Sequence, residues 1–528
     1  MVVDDMRIAA AGPRPAGDVR RFRAFSAALS LAILAISVWH LCFVAGTQPD
    51  VSWLLTVCDK MLAGERLYVD VWETNPPFSV YLYMPMAWLG HVTPVSAEAW
   101  TLAATYAWVL CFGALALSMA RSLGLATAFD GLVLVPAGMY VLVLLAPNAF
   151  SQREHFALAG ALPMLVMAAW RMERRAAGPV RARWIVLAGL GAAVTMMVKP
   201  HYALAFLLPY LLAAWRARSP RVLVAPEVLV AAAVVIAYAA FVWTVHREYL
   251  TDVVPVLLDV YTTRESLRTL VLLAGWSQLL LAAVLAVVVV FAPRRNFSLV
   301  WSLASGAAGF YGAFLVLGKG WHYHALPAIS LILFALAVVA ARWLADERER
   351  RGAVPVNAMF MAFVGVASFA VSQTVLSWSL FDPPAPVVAR LQAAAPGPVV
   401  ASISSKISTS HPWKRSLHAT WLDRDCSDWI VAGGAEKLAE EPGLPAATVR
   451  RIEAEMDAAV ARKLAAWTAR PPDIVFLRAD PLPGLRRITE NPEFARILAG
   501  YRVVYRNGRT EVALRADHLP AWQAAEAR

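Results

Sequence analysis

The sequence has 528 residues, of which 59% are hydrophobic and only 16% are charged, and its mean hydropathy is +0.56. A soluble protein of this length needs far more charge to cover its surface, so the composition excludes an ordinary soluble globular protein. Much of the net charge of +11 lies in short segments between apolar runs. Because there is no basic stripe with interleaved aromatic residues, we predict no nucleic-acid partner.

Long apolar runs predict an α-helical protein that crosses a membrane many times. A run of about 20 apolar residues spans the hydrocarbon core, and inside lipid its backbone must be helical. The first run follows an N-terminal tail, residues 1–23, and we interpret it as a signal-anchor helix, with a cleaved signal peptide as the alternative. The predicted spans, about eleven in number, cover residues 24–46, 97–120, 129–147, 153–171, 183–198, 201–216, 222–245, 269–292, 298–317, 325–343 and 354–379.

The arginine distribution predicts which loops face the cytoplasm, because short loops rich in Lys and Arg stay on that side. Residues 1–23, 171–183, 216–221 and 294–295 all carry arginines. These assignments agree with one another only if the apolar segment 76–90 does not complete a crossing. We therefore predict that this segment is a half-helix or an interfacial helix, which leaves every cluster of polar motifs on the outer side.

The end of the chain, residues 383–528, is here called the tail domain. Its charge is higher and its apolar runs are shorter than those of the transmembrane domain, residues 24–382. Strand patterns occur at residues 398–404, 473–478, 501–505 and 510–514, and residues 446–467 have helical periodicity. The pattern predicts a small, separate α/β domain outside the membrane. Cys58 and Cys426 fall on the same side and are candidates for a disulfide.

The first outer loop is acidic. Asp50 follows the first span almost at once, which places its carboxylate at the boundary between membrane and water. A carboxylate there can act as general base toward an acceptor hydroxyl. Asp70 and Glu73 lie in the same loop, as supporting acidic residues or, together with His155, as candidate metal ligands. The alternative is an acidic loop that is merely solvated.

Charged residues also stand where the outer loops enter later spans. Arg153, Glu154 and His155 open an apolar helix, which is unfavourable unless they face a cavity. Arg153 can bind a phosphate through two parallel hydrogen bonds, with Glu154 in support. The alternative is a charged helix cap.

Two further outer loops carry Lys and His. Lys199 and His201 lie at a proline corner, and Lys319, His322 and His324 lie in a glycine-containing segment, GKGWHYH. These side chains can bind phosphate or sugar oxygens. Their alternatives are a lysine that reaches toward the interface without a function and an ordinary aromatic belt.

Several of these segments together resemble a known superfamily. The residues that carry the resemblance are Asp50, residues 63–70 (AGERLYVD) and 75–77 (NPP) and, more weakly, residues 152–155, 199–202 and 318–324. Over residues 24–380 the chain resembles the GT-C superfamily of polyprenyl-phosphate-sugar-dependent glycosyltransferases. Protein O-mannosyltransferases and lipid A aminoarabinose transferases belong to this superfamily.

The resemblance implies a GT-C-like fold and an inverting transfer of sugar from a polyprenyl-phosphate donor to an acceptor hydroxyl. On this model Asp50 is the general base. The residues expected to bind substrate or phosphate are Arg153, Lys199, His201, Lys319, His322 and His324. Many members have a paired acidic motif at the first loop, whereas Val51 follows Asp50 here. This departure weakens a metal role at Asp50 and leaves a divalent metal cofactor open.

Two other function classes stay open. A transporter or flippase of lipid-linked saccharide would carry charges or broken helices near mid-span, whereas the charges here cluster at span ends. A polymerase or ligase of the O-antigen type also uses basic outer loops, but the acidic first loop favours the GT-C interpretation. The expected partners are a polyprenyl-phosphate-linked sugar, membrane lipid and a glycan, lipid or protein acceptor. The expected location is the bacterial inner membrane, with the site facing the periplasm and the cell envelope.

Overall fold

The computed structural model describes residues 16–145, 147–173, 180–261, 265–274, 276–291, 297–351, 380–478, 483–508 and 510–526. The first part of the chain is helical. Its helices are α1 (Ala16–Phe43), α2 (Pro49–Leu62), α3 (Phe78–Tyr81), α4 (Met84–Val92), α5 (Ala97–Ser122), α6 (Asp130–Met139), α7 (Arg153–Met172), α8 (Ala182–Val198), α9 (Leu204–Ala217), α10 (Pro226–Val245), α11 (Val254–Val260), α12 (Trp276–Phe291), α13 (Ser298–Leu317) and α14 (His322–Arg351). Short 3-10 or π turns extend or join several of them, at Tyr140–Leu144, Pro147–Ala149, Pro200–Ala203, Pro220–Val224, Tyr249–Val253 and Thr269–Ala274.

The described residues include six helices long and apolar enough to cross a membrane, α1, α5, α7, α10, α13 and α14. Shorter apolar helices cover Asp130–Leu144, Ala182–Val198 and Ser277–Val290. Together with the C-terminal sheet described below, they confirm the predicted fold class: a polytopic α-helical membrane protein with a small C-terminal α/β domain. The last predicted span, residues 354–379, lies outside the described residues.

Several predicted boundaries differ from the helices, and the span 325–343, for example, lies inside the longer helix His322–Arg351. The first helix begins at Ala16, well before residue 24, because hydropathy detects the apolar part of a helix and not its charged first turns. The predicted span 201–216 begins in a 3-10 turn at Pro200–Ala203, because proline at the corner interrupts the regular hydrogen bonds.

The segment predicted not to cross the membrane folds as two short helices. These are α3, with four residues, and α4, with nine residues. A nine-residue helix rises about 14 Å, less than half of the hydrocarbon core. Neither helix is therefore long enough to cross the hydrocarbon core, in agreement with the prediction for residues 76–90.

The tail domain contains a five-stranded sheet with strand order β2-β1-β3-β5-β4. Strand β1 pairs in parallel with β2 and β3, and β5 is antiparallel to β3 and β4. The strands are β1 (Val399–Ile403), β2 (Thr420–Trp421), β3 (Ile474–Arg478), β4 (Tyr501–Asn507) and β5 (Thr510–Arg515). The helices are α15 (Ala385–Ala394), α16 (His411–Ser416), α17 (Trp429–Glu440), α18 (Ala446–Ala469), α19 (Arg486–Thr489), α20 (Pro492–Leu498) and α21 (Leu519–Glu526).

Four strands and the helix at residues 446–467 were predicted, but β2 was not. Strand β2 has only two residues, so it shows no alternating pattern. Its position matters, because the segments that follow the parallel strands β1 and β2 leave from the same edge of the sheet. One of them, residues 423–429, is here called the tail loop.

The tail domain does not pack by itself. Buried apolar residues of α2, including Trp53 and Leu54, belong to the same hydrophobic core as Ile403, Trp421 and Trp429 of the tail domain. The expectation of a separate soluble domain is therefore wrong in this respect, since the first outer loop supplies part of its core. Cys58 and Cys426 are both buried in this core and both free, so the predicted disulfide is not formed.

The helix bundle has two chemically different ends. Helix α7 begins at Arg153, which lies near Asp50 and Lys199, and ends at Arg171, which pairs with Glu227. Helix α14 likewise runs from His324, which faces Glu154, to Arg342, which pairs with Asp130. In each helix the two positions are eighteen residues apart, a distance of about 27 Å along the helix. The predicted site residues Asp50, Arg153, Lys199 and His324 therefore gather at one end, and the ion pairs of Arg171 and Arg342 lie at the other.

Candidate active site

Asp50 lies in the first turn of α2, which orients its carboxylate. Gln48 caps this helix, since its Oε1 accepts the backbone N–H of Val51 at 2.9 Å. The same side chain donates from Nε2 to Asp50 Oδ2 at 2.8 Å, and Gln152 Nε2 lies 3.5 Å from that oxygen. The Asp50 side chain is 23% exposed, so it remains accessible while two amide groups hold it.

Burial raises the pKa of the Asp50 carboxyl above its ordinary value, although Arg153 and the hydrogen bond from Gln48 oppose this effect. A raised pKa makes the carboxylate a stronger base than an exposed aspartate. The environment of Asp50 therefore suits a general base.

Arg153 lies between two acidic residues of the first loop, Asp50 and Glu73. Its Nη2 lies 4.0 Å from Asp50 Oδ1, and its Nη1 lies 3.7 Å from Glu73 Oε1. The side chain is buried at the start of α7. Because neither distance is that of a tight hydrogen bond, the guanidinium keeps donors for a further anion.

Glu73 has a positioning role. Trp53 Nε1 donates to its Oε2, and the backbone N–H of Asn75 donates to its Oε1 at 2.9 Å. Glu73 is buried, so these bonds and Arg153 stabilise its negative charge. Its oxygens are therefore engaged, and this favours a structural part over metal ligation.

A second buried ion pair lies deeper in the site. Lys199 Nζ donates to Glu154 Oε1, and His324 Nε2 lies 3.6 Å from the same oxygen. Burial lowers the pKa of Lys199, while Glu154 opposes the change. The corner before Pro200 and the first turns of α7 and α14 thus bring Lys199, Glu154 and His324 together, although they are far apart in sequence.

Several buried polar atoms around this pair have no hydrogen-bond partner within the described part of the chain. They are Gln152 Oε1, Glu154 Oε2, His201 Nε2, Tyr202 Oη and His324 Nδ1. Buried polar groups are normally satisfied, so a cluster of unsatisfied ones indicates a place where a polar ligand or water binds. This cluster contains three of the residues predicted from the sequence, Glu154, His201 and His324.

Two predicted site residues have local structural roles instead. The Asp70 carboxylate accepts the backbone N–H of Arg66 at 2.8 Å and lies 3.7 Å from Arg66 Nε. It therefore closes the turn formed by residues 66–70. His155 Nε2 lies 2.6 Å from the carbonyl oxygen of Leu142, in the core beside Phe150. Of the suggested metal ligands, only Glu73 joins the site. The residues described in the structure contain no group of three or more potential metal ligands.

Lys319 and His322 lie at the rim. Lys319 Nζ is 4.2 Å from the centre of the Tyr261 ring, and burial lowers the pKa of Lys319. The neighbouring glycines Gly318 and Gly320 adopt φ values of 70° and 65°, which glycine favours. His322 is exposed. Both side chains stay candidates for the outer part of a substrate site.

Sequence reasoning missed the contribution of the tail loop. The backbone N–H of Trp72 donates to the carbonyl of Arg424 at 3.0 Å, and the Trp53 ring packs on His411 at a centroid distance of 4.9 Å. Burial and then the negative charge of Glu73 raise the pKa of Cys426, so the tail loop lies against the acidic first loop. No signal in the sequence pairs segments more than 300 residues apart.

Comparisons with known proteins find similarity among solved structures. No model of a known protein family matches the sequence, and no curated protein matches it. Among solved structures, the chain is similar to the crystal structure of ArnT from Cupriavidus metallidurans bound to undecaprenyl phosphate, with 14% sequence identity and a TM-score of 0.49. The similarity covers 93% of this chain and 97% of that chain.

Proposed function

We propose that the protein is an inverting membrane glycosyltransferase that moves a sugar from a polyprenyl-phosphate donor to an acceptor hydroxyl. The observation that carries the proposal is one arrangement of charges. The carboxylate of Asp50 is partly exposed and lies beside Arg153. Next to them is the cluster of Lys199, Glu154 and His324, whose surroundings contain polar atoms without hydrogen-bond partners in the described residues. The reaction needs a base for the acceptor hydroxyl and positive charge for the phosphate that leaves.

In the proposed reaction, Asp50 accepts the proton of the acceptor hydroxyl as its oxygen attacks the anomeric carbon. The bond between that carbon and the phosphate oxygen breaks, and polyprenyl phosphate leaves with an added negative charge. Arg153 and Lys199 provide positive charge where this negative charge develops, which is the usual electrostatic contribution of an enzyme to such a step. No step requires a metal ion, and metal dependence is not part of the proposal.

The location of the site at the ends of the spans supports this function over transport. Arg153, Lys199 and His324 all lie within a turn of a helix end, on the side that receives the first outer loop. A transporter is expected to hold its substrate near the midplane. The positive-inside rule, applied to the arginines in the short loops of the sequence, supports a site on the periplasmic side.

The test is Asp50→Asn in membrane vesicles from cells that lack the gene, with their own lipid-linked sugars and acceptors. Mass spectrometry measures sugar that is transferred, sugar that is released and free polyprenyl phosphate. Because general-base catalysis contributes about 100-fold or more, transfer should fall at least that far. Asp252→Asn, at an exposed carboxylate of another outer loop, is the matched control and should stay near the parental rate.

Near-parental transfer by Asp50→Asn would contradict the assignment of Asp50. A parental protein that yields neither transferred sugar nor free polyprenyl phosphate would contradict the proposed function as a whole. Movement of intact lipid-linked sugar across the vesicle membrane, without release of polyprenyl phosphate, would establish a transporter instead.

A further inference from the structure

We propose that the tail loop, residues 423–429, forms the acceptor subsite of this enzyme, in which Arg424, Asp425 and Trp429 hydrogen-bond the hydroxyl groups of an acceptor bound above Asp50. The inference rests on the proposed function, since it assumes an acceptor. It identifies the chemical class of that acceptor and assigns a binding role to the tail domain.

The backbone of the tail loop is held in one position. His411 Nε2 lies 2.8 Å from the carbonyl oxygen of Cys426, and Trp421 Nε1 donates to the carbonyl of Asp425 at 3.1 Å. The carbonyl of Arg424 accepts the backbone N–H of Trp72 from the first outer loop. With three successive carbonyls engaged, the side chains of the loop project from a fixed frame.

The two carboxylates at the ends of the loop anchor it. Lys463 Nζ lies 3.2 Å from Asp423 Oδ2 and also pairs with Asp428. Trp467 Nε1 donates to Asp423 at 2.8 Å, and the N–H of Ser404 donates to Asp428 at 2.9 Å. The carboxylates of Asp423 and Asp428 are therefore already paired within the tail domain. They leave a different set of side chains for binding.

Three neighbouring side chains of the loop have buried polar atoms without a hydrogen-bond partner in the described ranges. These atoms are Arg424 Nη2, Asp425 Oδ1 and Trp429 Nε1. Trp429 is only 7% exposed, so its indole N–H is removed from solvent. Because a buried donor without a partner is unfavourable, its retention in the same loop as two other unsatisfied groups indicates a ligand.

The tail loop adjoins the proposed reaction centre. The Tyr261 ring contacts Trp429 edge-on, with a centroid distance of 5.8 Å and an interplanar angle of 89°. Burial raises the pKa of Tyr261, and Cys426 and Asp50 add to this effect. The Arg424 guanidinium lies 3.6 Å from the centre of the Trp72 ring, one residue from Glu73.

The chemistry of the three atoms selects hydroxyl groups. An N–H of Arg424 and the indole N–H of Trp429 are donors, whereas the Asp425 oxygen is an acceptor. A hydroxyl group both donates and accepts, so neighbouring hydroxyls of a saccharide satisfy all three atoms. Arg424 Nε lies 3.4 Å from Asp425 Oδ2, and this ion pair offsets the positive charge that a phosphate would need. The subsite therefore favours a neutral, hydroxyl-rich acceptor, with the donor phosphate held by Arg153 and Lys199.

The experiment uses the full-length protein in the same vesicles and compares Trp429→Phe with Trp522→Phe. The first variant removes the indole N–H and keeps an aromatic ring. The second removes an indole N–H from another buried tryptophan of the tail domain, on α21 (6% exposed). For each variant, transferred sugar and sugar released by hydrolysis of the donor are measured separately, since water needs no acceptor subsite.

We expect Trp429→Phe to lower transfer about tenfold, as the loss of a hydrogen bond to an acceptor does, and to leave hydrolysis within about twofold of the parent. Trp522→Phe should change neither reaction. Parental transfer by Trp429→Phe, or an equal loss of transfer and hydrolysis, would overturn the acceptor subsite. Failure of the proposed function is a separate result, because then the parental protein itself releases no polyprenyl phosphate.

Discussion

At the scale of single residues, the ionisation of Asp50 determines the pH dependence of transfer. A general base acts only when it is deprotonated, and burial raises the pKa of Asp50 above its ordinary value of 3.8. Activity should therefore decline, as pH falls, at a higher pH than an exposed aspartate would produce. The measurement is kcat/KM for transfer from about pH 4 to pH 8, where the acid limb reports the base of the free enzyme.

Two results bear on that prediction. The residual activity of Asp50→Asn should lack this acid limb, because the amide does not titrate in the range. An acid limb at or below the ordinary pKa of 3.8 would contradict the raised pKa of Asp50. An acid limb that persists unchanged in Asp50→Asn would assign the titration to another group.

The sequence predicted the residues of the site better than their contacts. Asp50, Arg153, Lys199 and His324 were predicted from their shared side of the membrane, and they do come together. Asp70 accepts the backbone N–H of Arg66, and a carboxylate that closes its own turn has the same sequence signature as one that faces a ligand. The partners Gln48 and Tyr202 were missed because uncharged polar residues give no distinctive pattern.

At the scale of elements, the close contact of α7 and α8 sets the spacing of Glu154 and Lys199. Gly160 and Gly191 face each other across this contact. A Cβ added at Gly191 would overlap the Gly160 carbonyl oxygen and lie 2.7 Å from Phe112 Cε1. Small residues permit such an approach between membrane helices. Helix α8 ends directly before Lys199, so its displacement moves Lys199 away from Glu154.

We therefore expect Gly191→Ala to destabilise the protein by about 1–3 kcal/mol and to reduce transfer further than this loss of folded protein explains. Gly138→Ala is the matched control, because its added Cβ meets Phe334 at an ordinary 3.7 Å. Thermal unfolding in detergent and transfer in vesicles measure the two effects. If Gly191→Ala resembles Gly138→Ala in both measurements, the contact does not set the spacing.

Helices and strands were predictable to different degrees. The helices of the bundle follow from runs of apolar residues, and the prediction fails only where charge or proline changes the local rule, as at Ala16 and Pro200. The strand pairing was not predictable, because β1, β2 and β3 join residues separated by 20 or more positions. The shared core of α2 and the tail domain is likewise a long-range feature.

At the scale of the whole molecule, α2 connects the reaction centre to the tail domain. Asp50 lies in its first turn, and Asp59 near its end pairs with Arg415 and with Lys414 at 3.3 Å. Arg415 also pairs with Glu98 at the start of α5. This partly buried network holds the tail domain against the first loop, so that the tail loop and Asp50 belong on the same side of the membrane.

That arrangement predicts opposite accessibility for two single cysteines. Ser219→Cys lies in the loop after α9, at the arginine-rich end, and Ser408→Cys lies on the exposed surface of the tail domain. In intact cells with a permeable outer membrane, a membrane-impermeant maleimide should label Ser408→Cys and should label Ser219→Cys only after lysis. The parental protein is the control for Cys42 and Cys111, which are exposed on the helix bundle. Labelling of Ser219→Cys before lysis would contradict the orientation. If both positions are labelled before lysis, the number of spans assigned between α9 and the tail domain is wrong. That number decides whether the site and the arginine-rich loops lie on opposite sides of the membrane.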